Sequence, residues 1–293
     1  MTHAIRAVLF ASFAFVGLAH AQVTLMHVHG LSYSADGKQL MIPSHHGLAM
    51  YESGRWSKAP GPQHDYMGFS ATAKHLYSSG HPAPGSGLVN PFGLIRSRDG
   101  GKSWDKLCLE GESDFHLLAT SWKTNAIYVW NHAPNSRMRE PGLHYTVSDG
   151  FSWKPVRAAG LEGEPRALAV HPDDAATVAV ATSSGVYVSR NSGEQFAPLA
   201  AGTEALSAFF DLDGKRLWYG TFDGAPRLAR ASLAGGKPEN VALPALGRDA
   251  VAYIAQNPAV RSEYAIATFE RSVYLSTDSG RTWKPIAERG QGK

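Results

Sequence analysis

Apolar and polar residues alternate through most of the chain in short stretches that are interrupted by Gly, Asn, Asp, Ser and Pro. The first repeat carries four such stretches, at residues 27–33, 39–44, 48–52 and 55–58. Alternation with a period of two predicts strands with one face toward a core, and the polar interruptions predict tight turns. No convincing amphipathic helix is visible, so the pattern predicts an all-β protein.

A short motif recurs along the chain and sets the length of the repeat. SRDGGKSW at 97–104 reappears as STDSGRTW at 276–283, with weaker copies SRNSGEQF at 189–196 and TVSDGFSW at 146–153. Their terminal aromatic residues are separated by 49, 43 and 87 residues. Because 87 is about twice 43, we expect one degenerate copy within residues 231–241. A repeat of this length is typical of architectures in which each unit forms one small sheet.

These motifs resemble the Asp-box (BNR-type) repeats of the sialidase and sortilin-like β-propellers and of exported proteins labelled glycosyl hydrolase. The resemblance implies that the Asp or Asn side chain caps a tight turn between the third and fourth strands of a blade, where Gly adopts a positive φ. It also implies that these turns lie opposite the usual ligand face, so they report on fold and not on activity. Repeats that begin near residues 27, 65, 114, 164, 204 and 250 predict a six-bladed β-propeller. Seven blades are the alternative if the two ends of the chain assemble an additional sheet.

The first 21 residues have the features of a secretory signal peptide. Arg6 precedes an apolar stretch at 7–18 that is too short to span a bilayer, and Ala19, His20 and Ala21 fit the small-residue cleavage pattern. We therefore expect residues 1–21 to be removed and residues 22–293 to form a single propeller domain in the periplasm or outside the cell. No later stretch of about twenty apolar residues is present, which predicts no membrane span.

Composition and charge exclude some classes of partner. The chain has 28 basic and 25 acidic residues, a net charge of +3, and no basic stripe, so it is too balanced for a protein that binds the nucleic-acid backbone. Cys108 is the only cysteine in the sequence, which rules out an internal disulfide. We interpret it as a small buried residue on a strand.

Histidine is distributed very unevenly. Of the eleven histidines that follow the expected signal, ten lie between His27 and His144, and His171 alone follows them. The innermost strands of a propeller line its channel, and alternate residues of a strand share a face. Alignment of the inner strands places one residue of each blade at a common level: His29, Met67, His116, Arg166, Leu206 and Ala252. Two residues earlier, nearer the mouth, lie His27, Asp65, Asp114, Glu164, Glu204 and Ala250.

The loops after the second strands reach the same face of the propeller and carry further imidazoles. In the first three blades these loops contain His45, His46, His81 and His132. The corresponding loops of the later blades, at 182–184, 221–223 and 268–270, contain none. Since the later repeats form the same fold without these residues, the fold itself does not require them.

Imidazole and thioether ligands without thiolates suit copper best, with zinc, nickel or iron as alternatives. We predict His27, His29 and His116 as the first ligand set, with Met67 as a weak or reduced-state ligand. Further residues complete this shell or form a second site on the lip: His46, His81 and His132. Any one of these histidines is equally explained as an ordinary hydrogen-bonded channel residue, and the hypothesis depends on their number. We interpret the remaining histidines as outer-shell, structural or exposed residues: His64, His75, His144 and His171.

The sequence therefore predicts an exported metal-binding propeller that acts in metal handling or resistance, with copper as the expected ion and an exported metal-handling protein as a candidate partner. A propeller metalloenzyme with oxidoreductase activity has the same ligand inventory and stays open. A scaffold that docks another exported protein also stays open, and it predicts no bound metal and an exposed surface patch.

A sialidase-like glycoside hydrolase is the remaining alternative. The resemblance implies several channel arginines in sialidases, whereas only Arg166 occupies an inner-strand channel position here. Four carboxylates could still pair as acid and base in another glycosidase mechanism: Asp65, Asp114, Glu164 and Glu204. Such a pair requires the carboxyl groups to lie about 5–10 Å apart.

Overall fold

The computed structural model describes residues 23–293, and the expected signal peptide and Gln22 lie outside the described residues. Over residues 23–293 the chain forms strands and turns without a helix, and its 25 strands assemble into six antiparallel sheets. In this range no helix is long and apolar enough to cross a membrane.

Each sheet consists of strands that are consecutive in the chain, from the innermost to the outermost. Blade 1 contains β1 (Ser32–Tyr33), β2 (Leu40–Ser44), β3 (Gly47–Glu52) and β4 (Arg55–Lys58). Blade 2 contains β5 (Asp65–Ala71), β6 (Leu76–His81), β7 (Leu94–Ser97) and β8 (Asp105–Cys108). Blade 3 contains β9 (Leu118–Thr120), β10 (Ile127–Asn131), β11 (Gly142–Thr146) and β12 (Lys154–Pro155).

The second half of the chain repeats this arrangement. Blade 4 contains β13 (Pro165–Val170), β14 (Val178–Thr182), β15 (Gly185–Ser189) and β16 (Ala197–Ala201). Blade 5 contains β17 (Glu204–Phe210), β18 (Arg216–Phe222), β19 (Pro226–Ser232) and β20 (Glu239–Val241). Blade 6 contains β21 (Val251–Gln256), β22 (Tyr264–Thr268), β23 (Val273–Ser276), β24 (Lys284–Glu288) and β25 (Gln291–Gly292). The prediction of an all-β, six-bladed β-propeller is confirmed.

The hydrophobic core is divided among the interfaces between neighbouring blades. Between blades 1 and 2, for example, Met41 and Leu48 pack against Phe69 and Leu76. Between blades 5 and 6, Trp218 packs against Tyr264 with ring centroids 4.5 Å apart. Because every blade buries both faces against its neighbours, the fold needs no covering layer of helices.

The repeated motif forms the turn between the third and fourth strands of four blades. In blade 2 the Asp99 carboxylate accepts the Ser103 N–H at 2.9 Å and the Ser103 hydroxyl at 2.6 Å. In blade 6 Asp278 accepts the same two groups of Thr282, at 2.9 and 2.7 Å. The turn between β19 and β20 falls within residues 231–241, where the spacing predicts the degenerate copy.

The two ends of the described chain close the ring. Thr24 pairs with Gln291 of β25, and the Leu25 N–H donates to the Gly290 carbonyl at 2.7 Å. Leu25 itself is buried in the core that joins blades 6 and 1. The segment that leads to His27 is therefore held by blade 6 before it enters blade 1.

The inner strands of blades 1 and 3 are shorter than the alternation predicts. Residues 27–31 make no ladder with β2, because Pro43 has no N–H and only accepts, from the His29 N–H at 3.1 Å. In blade 3 the Phe115 N–H donates to the Ser79 hydroxyl of blade 2 at 3.0 Å, and the ladder starts only at Leu118. The two segments that carry inner-strand histidines are thus freed from regular pairing.

The inner strands of the other four blades run to the mouth and carry a β-bulge there. The register shifts lie between Met67 and Ser70, Pro165 and Ala167, Ala205 and Ser207, and Val251 and Tyr253. In blades 4, 5 and 6 the residue inside the shift is Arg166, Leu206 or Ala252, and each of these lines the channel. A bulge re-aims a side chain, which explains how these positions face the axis.

Candidate metal centre

The channel along the propeller axis holds a cavity of about 190 Å³ whose mouth is polar and whose walls are apolar. At the level of the mouth its wall is formed by His29, Gly68, His116, Arg166, Leu206 and Ala252. Deeper in the channel the wall is formed by residues such as Leu31, Leu118 and Ile254. The histidines of the channel wall, His29 and His116, therefore lie at one end of the channel, on the side of blades 1 to 3.

Three histidines of blade 1 converge at this mouth, and we call them the blade-1 cluster: His27, His29 and His45. One ring nitrogen from each lies within 4.8 Å of the corresponding nitrogens of the other two. The ring centroids of His27 and His45 are 4.3 Å apart, and those of His29 and His45 are 4.8 Å apart. Nitrogens bound to a tetrahedral ion at about 2.0–2.1 Å lie about 3.4 Å from one another, so ring rotations that move each nitrogen by about 1 Å would enclose an ion.

Chain geometry explains why these three residues meet. His27 and His29 are two residues apart in an extended segment, so both side chains lie on one face, and their rings stack at a centroid distance of 5.9 Å. His45 and His46 form the two-residue turn between β2 and β3, because Ser44 pairs with Gly47. The turn returns toward the start of the inner strand, and His45 points to the mouth.

Asp65 of blade 2 fixes the orientation of one of these rings and lies beside a second. Its Oδ2 lies 2.6 Å from His45 Nδ1, and its Oδ1 lies 3.8 Å from His29 Nε2. Because a carboxylate only accepts, the short contact keeps the hydrogen on His45 Nδ1 and leaves His45 Nε2 with its lone pair. Metal-ligating histidines commonly have such a carboxylate partner on the second ring nitrogen.

His29 contributes a buried nitrogen that has no hydrogen-bond partner. Both His29 Nε2 and the nearby Asp65 Oδ1 are inaccessible to solvent and unpartnered among the described residues. Burial lowers the pKa of His29 to about 4, against the opposing effect of the Asp65 carboxylate. A neutral imidazole with a free lone pair is the form that binds a metal, and a buried polar atom without a partner is otherwise costly.

The sequence-predicted residue His116 lies in a second group on the other side of the mouth. We call this group the blade-2/3 cluster: His81, Asp114 and His116. His116 Nε2 and His81 Nε2 lie 2.8 and 3.1 Å from the same oxygen, Asp114 Oδ2. The structure thus joins His116 to Asp114 and His81, and joins His27 and His29 to His45.

Three of the sequence-predicted ligands lie apart from both clusters. Met67 is buried, and the bulge in β5 places Gly68 in the described channel wall where the alignment expects Met67. His46 is exposed and faces Thr24 and Met26, on the other side of the turn from His45. His132 is exposed after β10.

Sequence reasoning missed His45 as a member of the blade-1 cluster and Asp65 as the hydrogen-bond partner of His45. Only one of two neighbouring turn residues can point to the mouth, and the sequence does not show which. Asp65 is placed at the mouth level by the alignment, but its role as the hydrogen-bond partner of His45 depends on the contact between blades 1 and 2. One sequence feature could have found these residues: an aspartate at the mouth end of one repeat follows a histidine in the loop after the second strand of the preceding repeat.

The histidines expected to be structural or outer-shell have structural contacts. His64 is buried and accepts the Ala83 N–H at 2.9 Å. His144 is buried within blade 3. His171 bonds the Gly214 carbonyl at 2.9 Å and thereby links blades 4 and 5.

The opposite side of the mouth carries a different arrangement of charge. Arg166 pairs with Glu164 at 3.0 Å and with Glu204 at 3.1 Å. Among the described residues that line the channel, Arg166 is the only arginine. The two glutamates therefore share one guanidinium, and the described channel wall holds no group of arginines that could bind a substrate carboxylate.

Fold and site together define a six-bladed β-propeller with a cluster of histidines at the mouth of its channel. No protein-family model matches the chain, and a comparison with curated proteins finds no match. Solved structures match its fold. The GH74 enzyme of Niastella koreensis has a TM-score of 0.61 and 14% identity, over 91% of this chain and 46% of that chain.

Two smaller propellers match over most of their own length. YCF48 bound to D1 peptide has a TM-score of 0.50 and 18% identity, over 90% of this chain and 84% of that chain. The β-propeller domain of Cps50 (Swd1) from Myceliophteria thermophila has a TM-score of 0.56 and 9% identity, over 91% and 87%. This chain spans less than half the length of the Niastella enzyme and of an ancestral GH74 enzyme. At these identities the likeness shows the fold alone, so function has to be argued from the site.

Proposed function

We propose that this protein is an exported propeller that binds a transition metal ion at the blade-1 cluster and acts in metal handling or resistance. Copper is the expected ion, with zinc, nickel and iron as alternatives. The observation that carries the proposal is the convergence of three imidazoles, with one ring nitrogen of each within 4.8 Å of the others, in a cluster where His29 Nε2 is buried without a partner. A cation at this point would satisfy both His29 Nε2 and the neighbouring Asp65 Oδ1.

The donor set supports copper(II) and zinc over copper(I). His27, His29 and His45 supply three imidazole nitrogens, which suit borderline divalent ions. Met67, the thioether that would favour the reduced ion, is buried away from the described channel wall. His27 is exposed, so it provides the route by which an ion from solution enters the cluster.

Titration of copper(II) into the mature protein, against a chromogenic chelator of known affinity, tests this proposal. We expect one equivalent of copper(II), the one bound at the blade-1 cluster, to be lost in His29→Ala and in His45→Ala while the far-ultraviolet circular dichroism stays unchanged. His132→Ala is the matched control, because it removes an exposed mouth-side histidine that lies outside both clusters. Wild-type affinity in both cluster variants would overturn the ligand set.

Elemental analysis tests the biological part of the proposal. Protein recovered from the periplasmic fraction or the culture medium should carry copper in a stoichiometry that His29→Ala lowers. Recovery of the full-length precursor from the cytoplasm alone would contradict export. Recovery of exported protein without any transition metal, even after growth in copper, would contradict a role in metal handling.

A propeller metalloenzyme is the second candidate, and the number of ligands favours it. Three protein nitrogens leave at least one position of a tetrahedral ion for water or substrate, and the mouth is open to solvent. Oxygen consumption by the copper-loaded protein with a small phenol as reductant would move the assignment from metal binding to oxidation chemistry. The absence of turnover, with tight retention of the ion, would support storage or delivery.

A further inference from the structure

The blade-2/3 cluster uses different donors from the blade-1 cluster. His81 ends β6, whereas Asp114 and His116 lie in the segment that precedes β9. The nitrogens His81 Nε2 and His116 Nε2 both approach Asp114 Oδ2, at 3.1 and 2.8 Å. Two imidazole nitrogens therefore flank one carboxylate at the channel mouth.

The hydrogen-bond partner of His81 leaves its other ring nitrogen available to an ion. His81 Nδ1 lies 2.7 Å from the amide oxygen of Asn90, which only accepts, so Nδ1 carries a hydrogen. In the neutral ring the lone pair is then on Nε2 and faces the Asp114 carboxylate. A metal ion that contacts both Nε2 and the carboxylate would satisfy both groups.

Asp114 also has coordinating capacity that the protein does not use. Its second oxygen, Oδ1, is buried and has no hydrogen-bond partner among the described residues. His81 and His116 both approach Asp114 Oδ2, so Oδ1 has no hydrogen bond with either ring. A carboxylate in this state offers an oxygen ligand at no cost in existing hydrogen bonds.

The backbone that carries the cluster is held in place by blade 2. The Phe115 N–H donates to the Ser79 hydroxyl at 3.0 Å, and Ser79 in turn donates to the Gly93 carbonyl at 2.6 Å. Gly68 lies directly against the Phe115 carbonyl, where a side chain would not fit. Asp114 and His116 flank Phe115, so their positions are set by buried contacts and not by the ion.

We propose that His81, Asp114 and His116 form a second, independent binding site for a divalent transition metal ion, so that the propeller mouth holds two ions. Two imidazoles and one carboxylate are the ligand set of several zinc sites and also suit copper(II) and nickel. Binding draws the two rings together, and the ion contacts His81 Nε2, His116 Nε2 and the free Asp114 Oδ1. The site uses no residue of the blade-1 cluster.

Calorimetric titration of zinc, a redox-silent probe, into the mature protein tests the proposal. Wild type should bind two equivalents, and the double variant His81→Ala with His116→Ala should bind one. The double variant His27→Ala with His45→Ala should also bind one, and His132→Ala should bind two. Asp114→Asn, which keeps the shape of the side chain, should weaken one of the two equivalents by about tenfold or more.

Each other outcome has a definite meaning. Binding of two zinc equivalents by the His81/His116 variant would overturn the second site. Binding of one equivalent by both wild type and this variant would overturn it as well. A single equivalent lost in both double variants would show one shared site and would overturn the second site while metal binding stands. A single equivalent lost only in the His81/His116 variant would support the blade-2/3 site and overturn the ligand set of the proposed function. No zinc binding by wild type would overturn both sites.

Discussion

At the scale of single residues, Asp65 orients a histidine of the blade-1 cluster although it lies on another blade. It holds His45 through Nδ1 and lies beside the buried His29 Nε2. Asp65→Asn should weaken copper(II) binding by about 10–100-fold, since the amide cannot fix the same tautomer of His45. Competition titration measures this change.

Glu164→Gln is the control for that substitution. It removes a mouth carboxylate that pairs with Arg166 and contacts neither cluster. Equal losses of affinity in the two variants would mean that Asp65 acts only through the general negative charge of the mouth, and the orienting role would be wrong.

The turn carboxylates predict a defined response to acid. Hydrogen bonds from the Thr282 hydroxyl and N–H lower the pKa of Asp278 from 3.8 to about 2. Because the folded-state pKa is below the unfolded value, this stabilisation is complete above about pH 4 and is lost as the pH falls toward 2. Asp278→Asn should therefore lose less stability than wild type between pH 5 and pH 2.5 in urea unfolding. Equal losses would show that the turn does not contribute to acid sensitivity.

Residue chemistry at the mouth was predictable only in part. His27 and His29 follow from alternation along one strand, and the level shared with His116 follows from the repeat. The choice of His45 over His46 depends on the turn geometry between β2 and β3, and the position of Met67 depends on a bulge in β5. Neither feature has a signature in the order of apolar and polar residues.

At the scale of elements, the bulge in β5 depends on Gly68. Its φ is +51°, and a side-chain carbon added there would lie 2.0 Å from the Phe115 carbonyl oxygen. Gly54 also has a positive φ, of +80°, but faces open space. Gly54→Ala should cost about 1–2 kcal/mol of unfolding free energy from φ alone. Gly68→Ala should cost about 1–3 kcal/mol more, because the clash is with backbone.

Urea unfolding of the two glycine variants measures this difference. Similar losses in both would show that blade 3 shifts freely away from blade 2. In that case the claim that contacts with blade 2 hold Phe115, Asp114 and His116 in place would be wrong.

Most strands could be predicted from alternation, because each blade interface buries one face of a strand at a time. The inner strands of blades 1 and 3 could not. Their mouth-proximal halves leave the ladder because of Pro43 in β2 and the bond from Phe115 to Ser79. Pro43 is visible in the sequence but its strand partner is not, and the second effect depends on a contact between blades 2 and 3. The same departures free the segments that carry His27, His29 and His116.

At the scale of the whole molecule, blade 6 and the segment before His27 close the ring. Leu25 is almost fully buried in the core shared by blades 6 and 1, and its N–H bonds the Gly290 carbonyl. Leu25→Ala should lower the free energy of unfolding by about 2–5 kcal/mol. It should also weaken copper(II) binding, because His27 lies two residues further along the same segment.

Thermal unfolding with and without copper(II) separates these two effects. A large loss of stability with unchanged copper affinity would show that closure of the ring does not position His27. The number of blades follows from the repeat, whereas the pairing of Thr24 with Gln291 does not, because it joins residues from opposite ends of the sequence.

The most direct test of the account is anomalous diffraction at the copper edge from crystals grown with copper(II). We expect a peak bounded by ring nitrogens of His27, His29 and His45, each at about 2.0–2.1 Å, with Asp65 still bonded to His45 Nδ1. The account would be contradicted if copper occupied sites only elsewhere on the surface, or if no anomalous peak lay at the channel mouth.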